Sequence, residues 1–323
     1  GYIYGVMTGG SVVRSTNFGQ SYQNVYFATN QLPGMMVCVG ANVLNGQNVQ
    51  GGCVYVVSNT GSSTAPTWTF HKSTDGGTTW SAVSTVVFAN YVGTFVGGRN
   101  SVQNMRTRPY PMITADNSYG PNRGRLYVTY ASNSPAGDLN KPDIFTRYSD
   151  NQGATWSAET RVNDDVNSAA HNQWMPANWC DKKTGRLYVQ WMDTRDCPTS
   201  DSCLIYASYS TDGGVSFVTN QAVSNKKFRI NCTTCGGGGT PAYLGDYNAI
   251  SSNGEIATVA WTDFRANNFG NYIGYFPDYA LKTSTPSVNI INGQSATFRV
   301  SVPSVKLYSG KVKFTAVVDT LPS

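Results

Sequence analysis

Apolar and polar residues alternate with a period of two along most of this chain, and no window carries a convincing apolar stripe at helical spacing. Asp143-Ile144-Phe145-Thr146-Arg147-Tyr148 and Leu204-Ile205-Tyr206-Ala207-Ser208-Tyr209 read as strands rich in β-branched and aromatic residues. Gly124-Arg125-Leu126-Tyr127-Val128 returns 61 residues later as Gly185-Arg186-Leu187-Tyr188-Val189. Trp191-Met192-Asp193-Thr194-Arg195 is then echoed by Trp261-Thr262-Asp263-Phe264-Arg265. The pattern predicts an all-β chain with very little helix.

Between the strands an octet recurs: Ser, any residue, Asp or Asn, any, Gly, any, Ser or Thr, aromatic. Its copies start at Ser15, Ser73, Ser149 and Ser210, with spacings of 58, 76 and 61 residues. Asn17, Asp75, Asn151 and Asp212 each offer a side-chain oxygen to backbone N–H groups further along. Gly19, Gly77, Gly153 and Gly214 suit positive φ, and Tyr22, Trp80, Trp156 and Phe217 can cover the hairpin. A turn inside so long a period marks a repeated unit of several strands. Each unit reads as inner strand, turn, apolar strand, loop with Asp and Arg, strand, octet and edge strand. Four-stranded blades of this kind close into a β-propeller. About five units are recognisable; the first and the fifth supply about three strands each, and the fifth has no octet.

The octets resemble the Asp boxes of the sialidase-like β-propellers, over roughly residues 1–282. The resemblance implies structural boxes on the outer part of the blades, remote from any site. It also implies a site where the inner strands converge. Sialidases are similar to one another in an arginine triad, a Tyr nucleophile activated by Glu, and an Asp acid/base. Here there are only two glutamates, Glu159 beside a box and Glu255 in an Asn-Gly turn, neither well placed for that role. Arg108-Pro109-Tyr110-Pro111 is a loose echo of the family's Arg-Ile-Pro motif. Two aspartates could serve as a general acid and base instead, but 16 are present and spacing selects no pair.

The resemblance directs attention to residues at inner-strand starts and the loops after them. Arg106, Arg108 and Tyr110, with Gln173 and Trp174 one unit on, are candidate ligand contacts. Asp246 and Tyr247 hold the corresponding place in the last unit and, with Glu255, are the catalytic candidates. Arg195 and Arg265, from the Asp-x-Arg loops, could clamp a carboxylate in bidentate fashion, or simply pair with Asp193 and Asp263. Tyr110, Trp174 and Tyr247 could stack on sugars or belong to the core.

Composition narrows the classes. Only 13% of the 323 residues are charged and the net charge is +5. Lys182-Lys183 and Lys226-Lys227 read as solvated turns rather than a nucleic-acid footprint. No apolar run reaches the roughly 20 residues needed to span a bilayer. Seven cysteines point to an oxidising, extracellular setting. Cys197 with Cys203, Cys38 with Cys53, and Cys232 with Cys235 are candidate disulfides, while Cys180 reads as a buried free thiol. With two histidines and no second ligand pair, zinc at Cys232 and Cys235 is disfavoured. No cofactor is expected. Asn163-Asp164-Asp165 and the loop from Asp138 to Asp143 could hold Ca²⁺, but full calcium-loop spacing is absent and solvated loops are the better reading.

Beyond Lys282 the texture changes. Residues 283–323 resemble the start of a bacterial immunoglobulin-like domain, too short for a sandwich of about seven strands and 100 residues. Three functional expectations follow, in order of preference. The first is a secreted or cell-surface glycan-binding, adhesion or scaffold module of a larger protein. The second is a glycoside hydrolase of sialidase type. The third is a subunit of an extracellular assembly, built through the C-terminal strands.

Overall fold

Strands dominate the computed structural model, which describes residues 1–133, 141–166, 168–197, 199, 201–230, 243–277, 282–284, 288–291, 293–302 and 313. Among these residues a 3₁₀ turn at Ser168–Ala170 is the only helical element. Five antiparallel sheets follow one another along the chain. The first holds Ile3–Val6, Ser11–Ser15 and Gln23–Phe27. The second holds Met36–Val39, Val54–Asn59, Trp68–Ser73 and Ser81–Val86. The third holds Met112–Ala115, Leu126–Ser132, Asp143–Ser149 and Thr160–Arg161. The fourth holds Gln173–Cys180, Leu187–Asp193, Ser202–Ser210 and Gln221–Ala222, and the fifth Ala249–Ser252, Ala257–Asp263 and Gly270–Phe276. A hairpin at Val43–Asn48 and a three-stranded sheet over Thr94–Arg106 are insertions that the repeat did not announce.

Register makes the units equivalent. The box serine faces the first residue of the preceding strand in every copy: Ser15 faces Ile3, Ser73 faces Val54, Ser149 faces Leu126 and Ser210 faces Leu187. The next residue on that strand is Tyr4, Tyr55, Tyr127 or Tyr188, and Thr258 in the fifth sheet. By this register Ile3–Val6 is a second strand. The first sheet therefore shows no counterpart of Met36–Val39, and the fifth no fourth strand, among the described residues.

Packing follows from alternation. Val54–Asn59, Leu126–Ser132 and Leu187–Asp193 are buried along their whole length, because a neighbouring sheet covers each face. The first strands of the second to fifth sheets lie against one another in chain order. The second to fifth sheets thus succeed one another about their first strands, as the blade reading expects, and among the described residues no sheet closes on itself.

The boxes are turns held from within. Ser73 Oγ donates to Asp75 Oδ1 at 2.8 Å and accepts from the Gly77 N–H at 2.8 Å. Asp75 Oδ1 accepts from the N–H groups of Thr78 and Thr79 at 3.0 and 2.9 Å. The hydroxyl at the seventh position changes role with the third residue. Thr79 Oγ1 donates to Asp75 Oδ2 at 2.6 Å, whereas Thr155 Oγ1 accepts from Asn151 Nδ2 at 2.8 Å. Asn17 and Asp212 repeat the two arrangements with Ser21 and Ser216.

The disulfide expectation is corrected. Cys38, Cys53, Cys197 and Cys203 are free thiols, as is Cys180, whose thiol state was expected. Cys38 faces Tyr55, so Cys53 sits two residues away on the diagonal. Diagonal neighbours lie about 7–8 Å apart, beyond the roughly 4 Å between Cβ atoms that a disulfide needs. Cys197 closes a turn on the Thr194 carbonyl while Cys203 faces Phe228, and both are buried as thiols. Cys232 and Cys235 lie outside the described residues. The residues weighed for Ca²⁺ are engaged with one another and with Arg195. Asn163 donates to Asp143 and Asp165, and Asp164 pairs with Arg195 at 2.6 Å. Residues 138–140 of the second candidate loop lie outside the described residues. In the C-terminal segment, Val300–Ser301 pairs with Lys282–Thr283.

Candidate functional site

The segments that lead into the first strands of the second, third and fifth sheets meet one another. Arg108-Pro109-Tyr110-Pro111 leads into Met112–Ala115, its two prolines holding φ near −65° and the Tyr110 N–H closing a tight turn on the Arg108 carbonyl at 2.9 Å. Leu32-Pro33-Gly34 turns into Met36–Val39 beside it. Gly34 has φ +108°, and a Cβ there would lie 2.2 Å from Tyr110 Cδ1. Only glycine allows the Tyr110 ring to rest on this backbone.

Tyr110 donates its phenolic hydrogen to Asp246 Oδ1 at 2.9 Å, and Tyr243 donates to Asp246 Oδ2. The Tyr110 ring stacks on Tyr247, with centroids 5.3 Å apart and planes 28° from parallel. Tyr110 is buried, whereas Tyr247 is 48% exposed, with its phenolic oxygen met by the Gly34 backbone. The Arg106 guanidinium lies 4.6 Å from the Tyr243 ring centroid. Arg106 Nε and Arg108 Nε are buried without a hydrogen-bond partner among the described residues.

Below Tyr247 lies a cavity of about 390 Å³ lined by Val6, Thr8, Gly34, Met35, Met36, Met112, Tyr247 and Asn248. The first, second, third and fifth sheets all contribute to it, and Asn248 Nδ2 reaches the Met175 carbonyl of the fourth at 3.4 Å. The volume falls within the roughly 300–1,000 Å³ of small-molecule sites.

Electrostatics hold the phenols protonated. Burial, followed by the Asp246 charge, raises the Tyr110 phenol well above its ordinary value. Burial and the hydrogen bond to Asp246 push Tyr243 up to about 12, and burial raises Tyr247. At neutral pH the tyrosines are donors and Asp246 accepts from two of them.

Of the sequence candidates, Arg106, Arg108, Tyr110, Asp246 and Tyr247 converge here. The others do not. Trp174 is wholly buried in the core, and Gln173 is buried with Nε2 donating to Asp193 Oδ1 at 3.2 Å. A β-bulge after Trp174 turns this strand start away from the equivalence with Tyr110. Arg195 and Arg265 are loop locks. Each donates through its backbone N–H to Oδ1 and through Nε to Oδ2 of the aspartate two residues before it, Asp193 or Asp263. Trp191 Nε1 and Trp261 Nε1 complete the two copies at 2.8 Å. Glu255 is exposed on its hairpin turn, and Glu159 engages Tyr130 and Arg147.

Tyr243, Gly34, Met35, Met36, Met112, Val6, Thr8 and Asn248 were not anticipated. The Pro-Gly pair before Met35 was a turn signal for one of them; the apolar residues resemble any strand residue until the sheets are assembled.

No family model matches the chain, and no curated protein matches it. Among solved structures it is similar to a protein of unknown function from Dyadobacter fermentans, at 14% identity over 78% of this chain and 64% of that one, TM-score 0.39. It is similar to the α-L-arabinanase of Penicillium chrysogenum complexed with arabinobiose, at 12% identity over 82% of this chain and 84% of that one, TM-score 0.48. The NanB sialidase of Streptococcus pneumoniae is similar at 13% identity over 82% of this chain and 34% of that one, TM-score 0.40. The chain thus spans less than two thirds of the Dyadobacter protein and about a third of the sialidase. All are likenesses of outline.

Proposed function

We propose that the chain is an Asp-box β-propeller whose axial mouth binds a saccharide, acting as an adhesion or scaffold module of a larger extracellular protein. The observation that carries this reading is the Tyr110–Asp246–Tyr243 network. It fixes the half-exposed Tyr247 ring over the cavity, with Arg106 held against the Tyr243 ring of the same network. An aromatic face with convergent donors and acceptors suits a sugar, which presents C–H surfaces and hydroxyls together. The two arginines favour an anionic one. Residues 283–323 are proposed to begin an immunoglobulin-like unit. The extracellular setting rests on the box resemblance, since the described cysteines are thiols and lend it no support.

Binding is preferred to turnover because the phenols at the mouth are raised, not lowered, in pKa and so resist becoming nucleophiles. One observation favours the hydrolase reading: the Asp246 carboxyl group accepts hydrogen bonds from two tyrosines at once. Calorimetric titration with uronic and sialic acid glycosides and with neutral oligosaccharides, beside a panel of fluorogenic aryl glycosides, tests both. Saturable binding without release of fluorophore, lost in Tyr247→Ala, is expected. Hydrolysis abolished by Asp246→Asn would replace binding by catalysis, and no binding to any saccharide would remove the proposal.

A further inference from the structure

Three of the four boxes dock on the sheet before them through their fourth residue. That residue has positive φ in every box: Phe18 at 60°, Gly76 at 68°, Gln152 at 61° and Gly213 at 75°. Gly76 O accepts from Tyr4 OH and Arg14 NH1 of the first sheet, both at 2.9 Å. Gln152 Oε1 accepts from Lys72 Nζ of the second sheet at 2.7 Å. Gly213 O accepts from Arg125 NH1 of the third at 2.9 Å. One interface is therefore built three times: a box tip against a cation on the face of the preceding sheet.

Among the described residues the first box has no such receiver, and the fifth sheet has no such box. Phe18, at the docking position, is 81% exposed, and Tyr22 beside it is exposed. On the fifth sheet, Thr258 pairs with Tyr275 where Tyr4 pairs with Arg14 and Tyr55 with Lys72. Ile256 stands before its second strand where Arg125 stands in the third sheet. Ile273 is 66% exposed, whereas its counterpart Ala207 in the fourth sheet is wholly buried under the next sheet. Both unmatched halves have changed in the same sense. The tip carries an aromatic in place of Gly or Gln, and the face carries Tyr275 and Ile256 in place of the cations.

We propose that the uncovered face of the fifth sheet receives the first box of a second copy of this chain. Phe18 would be seated against Ile256, Ile273 and Tyr275. Within one molecule the two surfaces are both exposed, so they do not satisfy each other. The contact is head-to-tail: each copy offers one tip and one face, which gives a ring or an open filament rather than a two-fold dimer. Apolar side chains on both halves supply the association that hydrogen bonds to cations supply inside the chain.

Light scattering coupled to size exclusion tests this on the full chain over a wide range of concentration. The wild-type mass should rise with concentration above that of one chain. Phe18→Asp and Ile273→Asp should each run as single chains, because each destroys one half of the contact. Mixed together they should form a pair, because one keeps an intact face and the other an intact tip. Phe18→Asn, which tolerates positive φ, guards against loss of the turn and should also be a single chain. Wild type remaining a single chain at every concentration would overturn the proposal, whether its faces are bare or covered by residues 288–302. A mixture that stays unpaired would overturn it as well.

Discussion

Tyr110 and Asp246 lie 136 residues apart in the chain and share a 2.9 Å hydrogen bond. That bond ties the start of the third sheet to the start of the fifth and sets the wall of the mouth. Asp246→Asn keeps one acceptor and replaces the other with a donor facing the Tyr243 hydroxyl. The variant should lose about 1.5–3 kcal/mol in chemical denaturation, the range for hydrogen bonds to a charged group. Saccharide affinity should fall with it, because Tyr247 loses its support. Unchanged denaturation and unchanged titration together would show that the bond positions nothing.

Gly34→Ala tests the close approach of backbone to ring. The new methyl would lie 2.2 Å from Tyr110, at a backbone φ of +108°. Overpacking and strain each cost roughly 1–3 kcal/mol. The melting temperature should drop, and any ligand of the cavity should bind more weakly than this global loss explains.

The boxes carry a pH signature. Burial alone would raise the Asp75 carboxyl, but hydrogen bonds from Thr79, Ser73 and Thr78 hold it down at about 2, below its usual 3.8. A depressed carboxyl stabilises the fold above its unfolded pKa, and that stability is lost as pH falls from about 4 towards 2. Asp75→Asn should flatten the decline over this window while changing stability at pH 7 by less than about 1 kcal/mol, since Asn151 already occupies the same turn. Denaturant midpoints measured from pH 6 to 2 decide it; an undiminished acid decline in the variant would count against the assignment.

Arg195 covers the wholly buried Asp193 carboxylate at 2.8 Å. Removing one partner of a buried pair strands a charge, at about 3–5 kcal/mol. Arg195→Ala should therefore unfold far more readily than wild type, and Asp193→Asn with Arg195→Ala should recover part of the loss. Saccharide binding by whatever remains folded should be unaffected, because neither Arg195 nor Asp193 lines the cavity. A binding defect at full stability would return Arg195 to the candidate ligand contacts.

Period-two alternation and the four octets did not place the inserted hairpin at Val43–Asn48 or the inserted sheet over Thr94–Arg106, but were enough to place the boxes and the five repeated units. These depend on neighbours in sequence: a Ser-x-Asp turn makes its own hydrogen bonds, and a strand between two sheets must be apolar on both faces. The same local logic located Arg108, Tyr110, Asp246 and Tyr247 ahead of strand starts, whereas Arg106 closes a strand of the inserted sheet. It failed for Gln173 and Trp174, because a β-bulge at Met175, which has φ +51°, breaks the equivalence with Tyr110. It also left open whether Arg195 and Arg265 faced a ligand or their own aspartates, since Asp-x-Arg spells both. Only the tertiary structure joined Gly34, Tyr110, Tyr243 and Asp246, and only it left Phe18 and Ile273 bare. Contacts between distant segments are set by how sheets pack, and the packing of a sheet depends on every unit beside it rather than on its own residues.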